Sequence, residues 1–342
     1  MKKKNLRKIA TTVLTAALAV VFTFTSCSKP VTDENGFSLD GKSAVEIAKK
    51  EKKNILLVAT MKGDDLFSSD LIDFVLKDSR FNEEIGSKYT VLLTDFSEAS
   101  YGATVYNDDS TKEEKKIAEE NAERMHQNTL LASRLNLQLT PAIYIMSKDM
   151  YYITQLDFTT DQITNFDSFK ELLEKQQPIV DDFNSRIEKI EKGSKTEKLA
   201  AIDQLYESTE SAYIPFIKNL IEEYIKLDKK DETGLLSKYL LAKADIESSN
   251  YFIAGDVGNA VKIYVNTAKD MRLKPEDRQN CYYLSAYILV ISGSQDLDSV
   301  VGYLKSAIDA YPEGPNTPSI EMALEEVEAI RTSMAQQPVT AE

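Results

Sequence analysis

The chain has 342 residues, of which 41 are Lys or Arg and 55 are Asp or Glu, so its formal net charge is −14. This length accommodates about two domains, and 42% apolar with 28% charged residues is the composition of a globular protein. Five basic and no acidic residues lie in the first 26, so the remainder carries −19, which argues against nucleic acid as a partner. One His and two Cys are too few for a metal cage, a disulfide framework or His-based catalysis. We therefore predict no metal site and no cofactor.

The N-terminus has the layout of a secretory signal peptide. A basic stretch at residues 1–8 is followed by apolar residues at 9–24 and by small residues before Cys27. The apolar stretch would form a helix of about 24 Å, which is short for a membrane span of about 30 Å. The sequence therefore predicts a signal peptide at residues 1–26.

The cleavage region Phe24-Thr25-Ser26-Cys27 resembles the lipobox of bacterial lipoproteins, with Phe24 in place of the usual Leu. The resemblance implies that Cys27 carries palmitate-type acyl chains, and two or more chains anchor a protein durably in a membrane. An ordinary signal peptide with an accidental Cys is the alternative. We expect a lipidated tether at residues 27–42 and an exported protein that faces the periplasm or the cell surface. Ser28, where Asp would favour inner-membrane retention, favours the outer membrane.

Residues 36–43 match the phosphate-binding pattern G-x-x-x-x-G-K-[ST] letter for letter. That loop binds phosphate only when a buried strand precedes it and a helix follows it. The preceding residues 31–35 are polar, so no strand is predicted there and we reject nucleotide binding. Residues 41–43 instead indicate the turn and the N-cap of a helix that continues to residue 53.

Helices and strands alternate through residues 43–178. The apolar run at 55–59 is typical of a strand that is buried on both faces. The predicted elements are helices at 43–53, at about 111–135 and from Asp167, an amphipathic helix with Leu71, Ile72, Val75 and Leu76 on one face, and strands at 55–59, 90–96, 142–146 and 151–157.

This order of elements is similar to that of thioredoxin-like domains. The segments FSLDGKSAVEIAKKEKKNILLVAT and LNLQLTPAIYIMSKDM resemble the start of such domains and their Thr-Pro segment. Over residues 43–178 the resemblance implies an α/β fold with a four- to five-stranded mixed sheet flanked by helices. It also implies a cis peptide bond before Pro141.

The chain departs from the thioredoxin-like oxidoreductases at their reactive site, where two Cys stand at the start of a helix. The corresponding residues 61–68 contain no Cys, and spacing places Asp65 and Ser68 at the sulfur positions. A carboxylate and a hydroxyl cannot carry out thiol–disulfide exchange. These residues are predicted either to cap the helix or to line a groove that still binds an extended peptide. The predicted groove consists of Gly63, Asp64, Asp65, Phe67, Ser68, Thr140 and Pro141.

Residues 179–335 show helical periodicity without a strand pattern, and they predict an all-α domain of about seven helices with a disordered tail at 336–342. YLKSAIDAYPEGP resembles the second helix of a tetratricopeptide repeat, although no clean 34-residue period is present. Such stacks bury one face and offer a concave surface to other polypeptides. The many Tyr of this region are predicted to be core residues, with a recognition surface as the alternative.

Three other features have ordinary structural interpretations. Cys281 lies in an apolar run and is predicted to be a buried small hydrophobe. His126 lies on a charged helix with no second His for a zinc site. Residues 228–234 lack the alternating ligands of a calcium loop and predict a turn between helices.

The sequence therefore predicts a membrane-anchored envelope lipoprotein that is not an enzyme. Its redox-inactive thioredoxin-like module and tetratricopeptide-like helical domain would bind or scaffold polypeptides, and its partner would be another envelope protein or a peptide. A lipoprotein that binds a small ligand is one alternative. A thioredoxin-fold enzyme with non-thiol chemistry is the other.

Overall fold

The computed structural model describes residues 29–335. The predictions about the signal peptide, Cys27 and the tail at 336–342 lie outside the described residues. The described chain divides into two compact units, one that ends at Ile217 and one that begins at Lys218. We call them the sheet unit and the helical unit and describe each by itself.

The sheet unit is built around a mixed four-stranded sheet in the order β2-β1-β3-β4. Strands β1 and β2 are parallel, whereas β3 runs antiparallel to both β1 and β4. Every residue of β1 after the first is buried, as the apolar run predicted. The strands are β1 (Asn54–Thr60), β2 (Tyr89–Asp95), β3 (Ala142–Met146) and β4 (Tyr152–Gln155).

Helices cover both faces of this sheet. One of them, α2, continues directly into a π-helical segment at Leu71–Leu76. The helices are α1 (Gly41–Glu51), α2 (Leu66–Asp70), α3 (Phe81–Glu84), α4 (Glu98–Gly102), α5 (Lys112–Arg134), α6 (Thr160–Thr164), α7 (Phe166–Lys192) and α8 (Lys195–Ser208), followed by a 3-10 helix at Ser211–Ile217.

Two hydrophobic cores lie on opposite faces of the sheet because successive strand residues point to opposite sides. Leu56 and Val58 of β1 pack with the π-helical segment and α7. Ile55 and Leu57 pack on the other face with α1 and with Tyr213 of the 3-10 helix. The four apolar residues predicted on one face of the helix at 71–76 are all buried in the first core.

The outer edge of β2 is covered by the chain that precedes α1. The Ser38 N–H donates to the Val91 carbonyl at 2.9 Å, and the Leu93 N–H donates to the Ser38 carbonyl at 2.9 Å. Further upstream, the Val31 N–H donates to Ser43 Oγ at 2.9 Å. Residues from Val31 onward are therefore built into the sheet unit, which differs from the tether predicted to reach residue 42.

Helix α1 begins earlier than the sequence predicted. Asp40 is its N-cap and accepts a hydrogen bond from the Ser43 N–H at 2.8 Å. The prediction of a cap within residues 41–43 was therefore wrong, because a carboxylate one position upstream satisfies the exposed N–H groups of the first turn.

The remaining boundaries follow the predictions with local differences. Strand β3 spans the predicted residues, and β1 extends one residue beyond the prediction at each end. The short helix α4 lies between β2 and α5, where no helix was predicted. Helix α7 passes through residue 178 without a break, so the predicted domain boundary differs from the point at which the compact units divide.

The helical unit contains six helices among its described residues, and each packs on the next. The turn predicted at 228–234 lies between the first and the second of these helices. The short 3-10 helix that precedes this unit was not predicted. The helices are α9 (Lys218–Leu227), α10 (Leu236–Ile253), α11 (Val257–Ala268), α12 (Pro275–Ile291), α13 (Leu297–Ala310) and α14 (Thr317–Ala335).

Several Tyr of this unit are core residues, as the first interpretation predicted. Tyr224 and Tyr239 are buried and stack with their ring centroids 3.7 Å apart. Tyr264 is buried as well, whereas Tyr287 is exposed. Among residues 29–335, none of the helices has the length and apolar character that crossing a membrane requires.

Candidate functional site

The candidate site lies where β1 and β2 end and β3 begins. Thr60 pairs with Asp95 at the end of the parallel strands, and Ala59 pairs with Ala142 at the start of β3. Because β3 is antiparallel to β1, its first residue lies beside the last residues of β1. The loop at 61–65 and the Thr140-Pro141 bond therefore lie at one end of the sheet, which we call the sheet end. The bond before Pro141 is cis, as the resemblance implied.

Asp65 and Ser68 form a closed hydrogen-bond network at the start of α2. Asp65 is the N-cap, and its carboxylate accepts from the Phe67 N–H at 3.2 Å and from the Ser68 N–H at 3.0 Å. The Ser68 hydroxyl donates to the same carboxylate at 2.6 Å and accepts from the Met61 N–H at 3.0 Å. This arrangement confirms the predicted capping role for Asp65, whereas Ser68 lies within the helix and its hydroxyl joins the cap to the preceding loop.

Gly63 and Asp64 fix the loop that leads into α2. Gly63 has a φ of +86°, a left-handed conformation that glycine adopts without strain. Its N–H donates to Ser69 Oγ at 3.0 Å. The Asp64 carboxylate accepts from the Glu98 N–H at the start of α4 and so ties the loop to the segment after β2.

Asp95 is a site residue that the sequence reasoning missed. One of its carboxylate oxygens accepts from the Lys62 N–H at 2.9 Å. The other accepts from the Ser97 and Ser100 hydroxyls at 2.7 and 2.6 Å. The signal in the sequence is an acidic residue that ends a strand and is followed by S-x-x-S, a pattern that favours a capped turn. Asp95 thus holds the loop from the side of β2.

These polar groups hold the loops of the sheet end together. A serine acts as a nucleophile only when a substrate reaches its oxygen, and Ser68 is fully buried. The carboxylates of Asp64, Asp65 and Asp95 all accept hydrogen bonds from the surrounding loops. Nowhere in the described chain do three or more His, Cys, Asp or Glu side chains form a group suited to a metal ion.

Exposed apolar side chains stand at the same sheet end. Leu66 is 71% exposed and Phe67 is 46% exposed at the start of α2, and Leu139 is 82% exposed just before Thr140-Pro141. We call these three residues the apolar patch. Exposed apolar residues are ordinary when they occur singly, whereas a contiguous apolar surface is typical of an interaction site. Of the three, only Phe67 was among the predicted groove residues. Leu66 and Leu139 were missed because the sequence alone does not show which apolar side chains the fold leaves exposed.

A separate cavity of about 260 Å³ lies beside β4, within the sheet unit. Ile153, Phe183 and Leu205 contribute apolar surface to it, and Arg186 contributes charge. The Arg186 guanidinium already bonds to Asp182 at 2.7 Å and to the Ser208 hydroxyl at 2.7 Å. No residue of this cavity belongs to the predicted groove.

Cys281 lies inside the helical unit and is fully buried, which confirms its predicted role as a small core residue. Burial raises the pKa of the Cys281 thiol to about 12. The neutral thiol is a poor nucleophile, because reactivity depends on the thiolate.

Comparisons with known proteins place part of the chain in context. A family model described as an uncharacterised protein C-terminal domain matches residues 235–333. A solved structure titled "DsbH Oxidoreductase" is similar over 40% of this chain and 84% of that chain, with 15% sequence identity and a TM-score of 0.25. No curated protein matches the sequence. A TM-score this low does not establish a shared fold, so the architecture rests on the strand order and register themselves. The described chain is a mixed four-stranded sheet with helices, followed by a mostly helical unit.

Proposed function

We propose that the protein is a membrane-anchored envelope lipoprotein that binds polypeptides without catalysing a reaction. Its sheet unit would be a redox-inactive thioredoxin-like module, and its helical unit a tetratricopeptide-like scaffold. The observation that carries the proposal is the apolar patch, which is exposed next to the hydrogen-bonded pair of the partly exposed Asp65 and the buried Ser68.

The topology of the sheet unit supports the thioredoxin-like part of the proposal. The strand order β2-β1-β3-β4, with β3 and β2 on either side of β1, accompanies a cis bond before Pro141. The helix that follows β1 begins with Asp65 where the oxidoreductases carry their first sulfur. Such a module retains a surface at the sheet end but has no dithiol there with which to react.

Membrane anchoring is supported by the lipobox-like sequence at Cys27. The test is metabolic labelling of cells with a radioactive fatty acid, followed by fractionation. We expect label on the natural chain, and we expect Cys27→Ser to lose the label and to leave the membrane fraction. A Cys27→Ser chain that stays tightly bound to membranes would contradict acylation as the anchor.

The non-catalytic part of the proposal is tested by insulin reduction in the presence of dithiothreitol. We expect the mature protein to leave the rate of insulin precipitation at the level of dithiothreitol alone. A rate above this background would contradict the proposal.

Binding is tested with a permanently unfolded chain, such as reduced and alkylated lactalbumin, as the probe. We expect Leu139→Ser to weaken binding several-fold because it removes an apolar contact from the patch. The matched control is Met271→Ser, because Met271 also lies in a loop and is 80% exposed, but in the helical unit. Equal binding by the natural chain and both variants would show that the patch is not the binding surface.

Small-ligand binding is a second candidate function, favoured by the cavity beside β4. A thermal-shift screen of the mature protein tests it, because a ligand that binds only the folded state raises the melting temperature. The substitution Leu205→Phe, which fills the cavity, is expected to abolish any such shift.

A further inference from the structure

We propose that the polypeptide recognised by the apolar patch carries Lys or Arg side chains next to its apolar anchors. This inference rests on the proposed function, and it specifies the chemistry of the partner at the same site. An acidic or uncharged segment would be a poor ligand for this surface.

The charge of the two segments that follow β1 and β2, which begin at the sheet end, carries the inference. Residues 61–74 and 95–110 together contain one basic residue, Lys62, against eight acidic ones. Residues 135–147, which contain Leu139, have no charged side chain at all. The acidic residues are Asp64, Asp65, Asp70, Asp73, Asp95, Glu98, Asp108 and Asp109.

Contacts around the sheet end compensate part of this negative charge, since Lys115 donates to the Asp108 carbonyl at 3.3 Å. Asp73 pairs with Lys77 at 2.7 Å, so its charge is partly compensated. By contrast, Asp65 and Asp95 accept their hydrogen bonds from uncharged backbone N–H and hydroxyl groups. Asp64 likewise accepts from the uncharged N–H of Glu98. The apolar patch is therefore exposed within an excess of negative charge.

A surface of this kind selects its ligands by charge as well as by apolar contact. Complementary potentials raise the rate of encounter, and like charges placed side by side disfavour the wrong partner. Leu66, Phe67 and Leu139 would hold the apolar anchors, while basic side chains would approach the carboxylates around them. The same charge disfavours contact between the patch and an anionic lipid surface, so the patch suits a polypeptide better than a membrane.

The experiment compares two short peptides in which Leu alternates with either Lys or Glu. Fluorescence anisotropy with the full mature protein measures both dissociation constants. We expect the Leu/Lys peptide to bind at least about tenfold more tightly at low salt. The preference should shrink as the Debye length falls from about 30 Å at 0.01 M to about 8 Å at 0.15 M salt.

A pair of charge reversals locates the effect. Glu98→Lys keeps the backbone N–H that donates to the Asp64 carboxylate. We expect this variant to bind the Leu/Lys peptide several-fold more weakly and the Leu/Glu peptide more tightly. The control is Glu321→Lys, which makes the same change in net charge at an exposed position of α14. We expect Glu321→Lys to change neither dissociation constant by more than about twofold.

The outcomes separate this inference from the proposed function. If both peptides bind equally and Leu139→Ser weakens both, the patch binds polypeptides but the charge preference is overturned. A Leu/Lys preference that Glu98→Lys leaves unchanged also overturns the inference. If neither peptide nor the unfolded lactalbumin binds, the proposed function itself fails. Retention of the protein on anionic vesicles through Leu66 and Phe67, measured with the Cys27→Ser chain, would instead assign the patch to a lipid surface.

Discussion

Two carboxylates, one in each unit, each accept hydrogen bonds from two backbone N–H groups and one hydroxyl. Asp65 in the sheet unit accepts from two backbone N–H groups and from the Ser68 hydroxyl. Asp228 in the helical unit accepts from the Glu232 and Thr233 N–H groups and from the Thr233 hydroxyl. Their surroundings differ, since Asp228 is fully buried and Asp65 is partly exposed.

The comparison teaches that a conspicuous carboxylate can have a purely structural role. Asp65 caps the helix after β1 and Asp228 lies in a polar turn between helices, and each one organises the chain around it. The two carboxylates differ in the unfolding free energy that we expect to be lost when each is removed. Removing a fully buried carboxylate leaves a space that water enters less readily than the place of a partly exposed one, so fewer of the lost hydrogen bonds are replaced by water. Burial should therefore rank the effects of removing such carboxylates.

The largest effect is expected for Asp228→Ala. This change leaves the Thr233 hydroxyl and two N–H groups without their acceptor inside the turn, so we expect a loss of about 3 kcal/mol of unfolding free energy. Urea unfolding followed by far-UV circular dichroism measures it. Lys230→Ala, an exposed change in the same turn, is the control and should have little effect. A loss below that of Asp65→Ala would break the ranking by burial.

A smaller effect is expected for Asp65→Ala, because water can reach part of this site. Loss of the N-cap should lower the unfolding free energy by about 1–2 kcal/mol in the same experiment. Asp65→Asn retains an acceptor oxygen and should lose less than Asp65→Ala. Equal losses in the two variants would show that the cap hydrogen bonds contribute little.

A third cap, fully exposed, extends the series. Thr111 begins α5 with a capping box in which its hydroxyl accepts from the Glu114 N–H and the Glu114 carboxylate accepts from the Thr111 N–H. Thr111→Ala is expected to lose only about 0.5–1 kcal/mol, and Thr111→Ser should lose less because it keeps the hydroxyl. A loss larger than that of Asp65→Ala would contradict burial as the deciding factor.

The ionisation of the Cys281 thiol is expected to have the smallest effect on the unfolding free energy near neutral pH. Burial raises the pKa of its thiol to about 12 from an ordinary value of 9.0, so the unfolded chain releases this proton at a lower pH than the folded chain does. Its contribution to stability is therefore complete below pH 9 and declines as the pH rises toward 12. In the Cys27→Ser chain, where Cys281 is the remaining thiol, we expect slow reaction with Ellman's reagent in buffer and fast reaction in urea. Fast reaction of the folded protein would contradict burial of the thiol.

Much of the architecture follows from local sequence patterns. The apolar runs at 55–59 and 142–146 predicted two strands, and the spacing of Leu71 and Val75 predicted a buried helical face. Such patterns reflect the periodicity of each element and need no knowledge of its neighbours. The capping role of Asp65 belongs to this class, because an N-cap is decided within one turn of chain.

The rest depends on contacts between distant segments. The coverage of β2 by Ser38 joins residues more than 50 positions apart, and Asp95 binds Lys62 across two strand ends. The exposure of Leu66 and Leu139 likewise depends on what the fold leaves uncovered. A single sequence does not record these long-range contacts directly. This explains why residues 31–42, which mix polar and apolar side chains, are predicted to be part of the tether.

The hydrogen bond from the Val31 N–H to Ser43 Oγ limits the length of free chain between an acylated Cys27 and the sheet unit. Val31 makes such an attachment among the described residues, and the four residues from Cys27 to Pro30, if fully extended, reach about 14 Å. The tether predicted at residues 27–42 has sixteen residues and would reach about 55 Å when fully extended. With fatty acids on Cys27, the module would be held close to the lipid headgroups, and its partners would have to meet it within that thin layer.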